Sequence, residues 1–250
     1  MSKLIAITGK GGVGKTTISA LIIKNLLDSG KTPVLAIDAD PNSCLDAALG
    51  VTVTDTVGRA REEARASVGT NAGVSTRELL RLKLESALVE AKGFDLIAMG
   101  RPEGEGCYCY ANNILKEVIA EISSSYPYIV LDNEAGLENL SRRIVQKVDM
   151  LVLVSDASNS GLQTLLRLYE LANEMKMSYG KLALVVNKLR NDKQPERIEE
   201  IRVNTKADIV LCLPDNEEIA AFAEESKSFL EISKSNQVCQ KVKSLAEQFF

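Results

Sequence analysis

Nine residues near the start of the chain, Gly9-Lys10-Gly11-Gly12-Val13-Gly14-Lys15-Thr16-Thr17, constrain its fold more than any other stretch. From Gly9 to Thr16 they fit the pattern G-x-x-x-x-G-K-[ST]. Its glycines let the backbone curl so that successive N–H groups point inward, and the N-terminus of the next helix adds partial positive charge. Together these groups hold a polyphosphate. Such a loop needs a strand before it and a helix after it. Leu4-Ile5-Ala6-Ile7 is apolar enough for a buried parallel strand, and Ile18 to Leu27 repeats apolar residues at helical spacing. A ligand-free Gly-rich turn would explain a lone Gly-x-Gly, but it explains poorly every motif position in this flanking context. Lys15 is expected to neutralise the β and γ phosphates, the Thr16 hydroxyl to ligate Mg²⁺, and Gly9 through Thr17 to form the cradle.

Further strands are expected at Pro33–Ile37, Phe94–Met99, Tyr128–Asp132, Met150–Val154 and Leu182–Val186, with a helical segment from Leu162 to Met175. This alternation predicts an α/β fold of three layers, α/β/α, around a mostly parallel sheet. With 250 residues, 45% apolar and 26% charged, the chain suits one such domain spanning 1–250. Asp132 ends its apolar run as a Walker B carboxylate does, holding Mg²⁺ through water. Asp38 and Asp40 close the run before Pro41-Asn42, where turn chemistry alone would also place them. Asn187-Lys188-Leu189-Arg190 partly mimics the guanine box Asn-Lys-x-Asp, but Arg190 stands where the base-reading acid is needed. ATP is therefore expected rather than GTP, with Asn187 able to read the adenine amino group.

Other stretches carry less chemistry. Residues 51–74 read as exposed loop and short helix, and Ser75-Thr76-Arg77-Glu78 is a capping box opening a helix through about Ala91. A helix is also expected over Asn112–Ile119. The segment from Asn236 places Val238, Val242, Leu245 and Phe249 on one face, as in an ordinary helix packed on a sheet rather than a membrane anchor. A net charge of −4 argues against a general nucleic-acid surface. No apolar stretch approaches the roughly 20 residues of a membrane span, and no signal peptide precedes the first strand, so a cytoplasmic location is expected without membrane or nucleic-acid partners.

The five cysteines read as free thiols or metal ligands, and with no histidine any soft-metal site must rest mainly on thiolates. Cys44, Cys212 and Cys239 are isolated and expected to be structural. Cys107 and Cys109 alternate along one segment, so an extended backbone would turn both toward one ion, and a two-fold dimer would complete a four-sulfur shell. The spacing alone also admits a chance pair or a redox disulfide.

The second lysine of the loop adds to this reading. Lys10-Gly11-Gly12-Val13-Gly14-Lys15-Thr16-Thr17 resembles the deviant Walker A family of septum-site and chromosome-partition ATPases, the nitrogenase iron protein and metal-insertion ATPases. The resemblance implies an ATP-dependent homodimer in which Lys10 reaches the partner's phosphates. It also implies that Asp40 orients the attacking water, that Asp38 lies on the Mg²⁺ side, and that Leu213-Pro214-Asp215-Asn216-Glu217 covers the base. Lys10, Lys15 and Asp40 are then the catalytic set. Asp132-Asn133-Glu134-Ala135-Gly136 resembles the second switch, with Asn133-Glu134 replacing the Thr-Pro of the partition proteins.

Within this family, Gly106-Cys107-Tyr108-Cys109-Tyr110-Ala111-Asn112-Asn113 resembles the accessory ATPases that insert nickel into carbon monoxide dehydrogenase and acetyl-CoA synthase. That implies Ni²⁺ or Zn²⁺ bound by Cys107 and Cys109 at the dimer interface, with ATP turnover coupled to delivery to a nickel enzyme. A [4Fe–4S] cluster is disfavoured because no cysteine stands near Asp132 to Leu140. The competing expectation is a partition- or septum-type switch acting on DNA or membrane without metal.

Overall fold

The computed structural model describes residues 2–66, 82, 85–100, 122–135, 147–190 and 195–249. Its strands are β1 (Lys3–Gly9), β2 (Val34–Asp38), β3 (Leu88–Ala91), β4 (Phe94–Ala98), β5 (Tyr128–Asp132), β6 (Lys147–Asp156), β7 (Ser178–Leu189) and β8 (Ile209–Pro214). They form one sheet in the order β3-β4-β2-β5-β1-β6-β7-β8. Every pairing is parallel except that of β3 with β4. The sheet is thus the mostly parallel one that the alternating apolar runs predict.

Side chains of β1 alternate between two cores: Ile5 and Ile7 belong to one, Leu4 and Ala6 to the other. The first core is closed by α1 (Lys15–Asp28), α2 (Leu45–Leu49) and α7 (Gln237–Phe249). That opposite face carries α3 (Val57–Ala66), α4 (Asn159–Glu174) and α5 (Ile198–Thr205), while α6 (Glu217–Glu224) follows β8. Helix α1 is buried nearly all round from Ile18 to Leu26, because it is enclosed between the sheet and α7. Ile18, Leu21, Ile22, Ile23 and Leu26 are each 1% exposed or less, and burying a side chain of this size contributes about 1.5–3 kcal/mol. Ser158 caps α4 by accepting from the Gly161 N–H at 2.9 Å.

Two expectations change. The helix expected through Ala91 gives way to β3, whose residues Leu88 to Ala91 pair antiparallel with Ile97 to Phe94. Lys92-Gly93 makes the turn, with Gly93 at φ 85°, a left-handed conformation that glycine adopts freely, and edge pairing overrides the local helical pattern. Cys44, expected to be structural, is exposed at the start of α2, whereas Cys212 and Cys239 are buried as expected. The expected Asn112–Ile119 helix lies outside the described residues. The segment after Asn236 is helix α7, and Val238, Val242, Leu245 and Phe249 are all buried in the core.

Candidate functional site

Strand β1 ends at Gly9, where a Cβ would come within 2.2 Å of the Val154 carbonyl oxygen, so only glycine lets β1 and β6 pair there. The loop turns through Gly14 (φ 93°, ψ 28°), which precedes the first residue of α1 and would meet the Asn187 amide at 2.5 Å if it carried a Cβ. Gly12 also has positive φ, with open space around its Cα, and Lys10, Gly11 and Gly12 are exposed. Lys15 is buried, and its Nζ donates to the Lys10 carbonyl at 3.3 Å. Desolvation lowers its pKa, while the carboxylates of Asp132, Asp40 and Glu134 push the other way.

Opposite the lysine stand two carboxylates in register across β2 and β5, Asp38 and Asp132. Asp132 is 1% exposed, and burial followed by the nearby Asp38 charge raises its pKa to about 7, against hydrogen bonds from Thr16 and Ser19. Ser19 Oγ lies 3.0 Å from Asp132 Oδ1. Asp38 is fully buried, and its pKa rises to about 6, mainly through desolvation. Its carboxylate accepts the backbone N–H groups of Asp40 at 3.0 Å, Cys44 at 2.9 Å and Leu45 at 2.9 Å, which fixes the path of the chain after β2. Asp40 accepts the backbone N–H of Asn42 at 2.9 Å and its side-chain amide at 3.1 Å. Asn133 anchors the chain just after β5 by giving both its backbone and side-chain N–H to the Ile7 carbonyl, each at 3.0 Å.

The donor set fits a divalent ion: a hydroxyl at Thr16 beside a buried carboxylate at Asp132, whose charged form burial disfavours more than its hydrogen bonds and Lys15 restore. Asn187, 9% exposed, donates Nδ2 to the Val13 carbonyl at 2.9 Å. Beside it a cleft of about 360 Å³ is lined by Gly14, Thr17, Lys188, Pro214, Asp215 and Ile219, among others. The Asp215 N–H donates to the Leu189 carbonyl at 2.8 Å, and Asn216 caps α6 through the Ile219 N–H at 3.1 Å.

The structure thus brings together Gly9 to Thr17, Asp38, Asp40, Asp132, Asn187, Pro214 and Asp215. Cys107 and Cys109 lie outside the described residues, as does the expected second switch beyond Ala135. Among the described residues no group of three or more Cys, Asp or Glu side chains could hold a metal ion. The sequence gives Ser19 no role, and it offers Lys188 only as part of the incomplete guanine box. Ser19 could have been found from its spacing, one helical turn beyond Thr16 on the same face.

A phosphate loop carried at the C-terminal end of the central strand of a parallel sheet defines a P-loop nucleotide-binding protein. Residues 4–229 match the family model described as the CobQ/CobB/MinD/ParA nucleotide binding domain; the chain belongs to this family and is an ATPase. It is 41% identical over 249 residues to an uncharacterised ATP-binding protein of Methanocaldococcus jannaschii, covering 98% of this chain and 97% of that one. It is 33% identical over 197 residues to the carbon monoxide dehydrogenase accessory protein CooC of Rhodospirillum rubrum, covering 74% of each. Among solved structures it resembles the MinD cell division protein of Aquifex aeolicus, with a TM-score of 0.71 and 25% identity over 99% of this chain and 96% of that one.

Proposed function

We propose that this ATPase is a homodimeric metallochaperone, which binds Ni²⁺ or Zn²⁺ through Cys107 and Cys109 of two chains and assists nickel insertion into a carbon monoxide dehydrogenase or acetyl-CoA synthase. The observation that carries the reading is the 33% identity to the carbon monoxide dehydrogenase accessory protein, joined to the Cys-x-Cys pair of this chain. In this reading Lys15 and the loop N–H groups bind the β and γ phosphates, and Thr16 with Asp132 holds Mg²⁺. Asp40 leaves its Asn42 contacts to orient the attacking water, Asp38 shapes the loop on the Mg²⁺ side, and Lys10 reaches the partner's phosphates. With Nδ2 of Asn187 committed to Val13, its Oδ1 is the atom left for the base. An acceptor there suits the amino group of adenine and opposes the carbonyl of guanine. Pro214 and Asp215 wall the base cleft.

Elemental analysis of separated monomer and dimer, with and without ATP, tests the proposal. One Ni²⁺ or Zn²⁺ per dimer is expected, with proton release on binding and loss of tight binding in Cys107→Ser and Cys109→Ser. One tight metal per monomer, or undiminished loading of the double variant, would defeat it.

A partition- or septum-type switch is the second reading, favoured by the MinD likeness over nearly the whole chain. The buried apolar face of α7 counts against its use as a membrane anchor. ATP-dependent sedimentation with anionic vesicles or DNA, without bound metal, would favour the switch.

A further inference from the structure

Two consecutive peptide units of the phosphate loop are each held by a residue from the end of β7. Val13 O accepts from Asn187 Nδ2 at 2.9 Å, and Gly12 O accepts from Lys188 Nζ at 3.0 Å. A trans peptide unit carries its C=O and N–H on opposite sides. Drawing the Gly12 and Val13 carbonyls toward β7 therefore turns the N–H groups of Val13 and Gly14 the other way, into the loop, where an anion needs donors.

The backbone at Lys188 is unusual as well. Its φ is 57°, a left-handed conformation that a residue with a Cβ adopts at a steric cost. Among the described residues the other non-glycine positive φ values belong to Lys176, Lys206 and Ser226, each just after a helix, and to Ser43 in the turn after β2. Lys188 instead lies within a strand, where the β7–β8 register breaks between Val186 and Leu189. Such irregularities re-aim side chains beside functional sites. The Lys188 side chain is otherwise exposed, so packing does not account for its conformation.

We infer that Lys188 is a positioning residue for the phosphate loop: through the Gly12 carbonyl it sets the peptide whose N–H meets the nucleotide phosphates. This rests on the nucleotide reading of the loop. Lys188→Gly removes the ammonium and the steric cost together, so the two consequences should diverge. Ligand-free protein should melt about 1–3 °C higher. Affinity for MgATP should fall about tenfold, mostly in KM, and affinity for inorganic tripolyphosphate should fall by the same factor, because the phosphate cradle and not the base cleft is disturbed. Lys188→Arg, which keeps a donor, should recover most of the affinity.

Tripolyphosphate affinity in Lys188→Gly equal to that of the unsubstituted chain would overturn the inference, as would a loss of affinity accompanied by a lower Tm. The two levels separate cleanly: an unsubstituted chain that bound neither ATP nor tripolyphosphate would remove the nucleotide reading itself, whereas binding unchanged by the glycine removes only the role of Lys188.

Discussion

Lys15 and Asp132 face each other with opposite discomforts, a buried ammonium whose pKa is depressed and a buried carboxylate whose pKa is raised. Lys15→Ala should weaken ATP binding by at least about a hundredfold, since it removes a charge from a desolvated phosphate site. Asp40→Ala should keep ATP affinity and lose turnover; calorimetry and phosphate release check the pair, and parent-like turnover in Asp40→Ala would end its assignment to the water. The carboxylates also set a pH dependence. Folded pKa values of about 7 for Asp132 and about 6 for Asp38 lie above the unfolded values. Their contribution to stability is therefore full below about pH 4 and is lost as pH rises through 6 to 7. In EDTA and without nucleotide, Asp132→Asn should melt higher than the unsubstituted chain at pH 8 and should narrow its own difference between pH 5 and 8. A steeper pH dependence in Asp132→Asn would contradict this. Mg²⁺ affinity should rise over the same window, as the proton leaves. The loop residues, Asp132 and Asn187 were legible because each belongs to a local pattern. Ser19 to Asp132 and Lys188 to Gly12 are contacts across 113 and 176 residues, which no local pattern encodes.

Helices and strands were legible in proportion to their apolar content. The runs that became β1, β2, β4, β5, β6 and β7 are buried on both faces and read as continuous hydrophobic stretches. Strand β3 has no such run, because an edge strand with partly exposed residues is specified by its partner and by a turn at Gly93. Helix α7 was legible from its one-sided apolar spacing, and that face gives a direct test. Leu245 is fully buried, so Leu245→Ala should cost about 2–4 kcal/mol in urea unfolding. A cost below about 1 kcal/mol would mean that α7 detaches easily from the sheet. Ser158→Ala, which removes the α4 cap, should cost about 1 kcal/mol, read by the same unfolding midpoint.

At the scale of the whole molecule, the proposed trans role of Lys10 is open to a direct test. Lys10 is exposed, so its substitution should leave the fold of a single chain intact. Lys10→Ala should still bind nucleotide yet fail to form the ATP-stabilised dimer. Sedimentation showing the same ATP-dependent dimer in the variant would remove the trans role. The three-layer arrangement itself was readable from the alternation of apolar runs and helical segments. The strand order was not, since β1 is inserted between strands that begin at Tyr128 and Lys147.

That insertion orders events on the ribosome. The phosphate loop leaves the exit tunnel long before its partners: Gly9 waits for its neighbour Val154, and Val13 waits for Asn187, 174 residues further on. Long-range parallel pairings of this kind form late. A nascent chain should therefore remain blind to ATP until β7 has emerged, and the cell's nucleotide pool can favour only those chains in which β7 has joined the sheet.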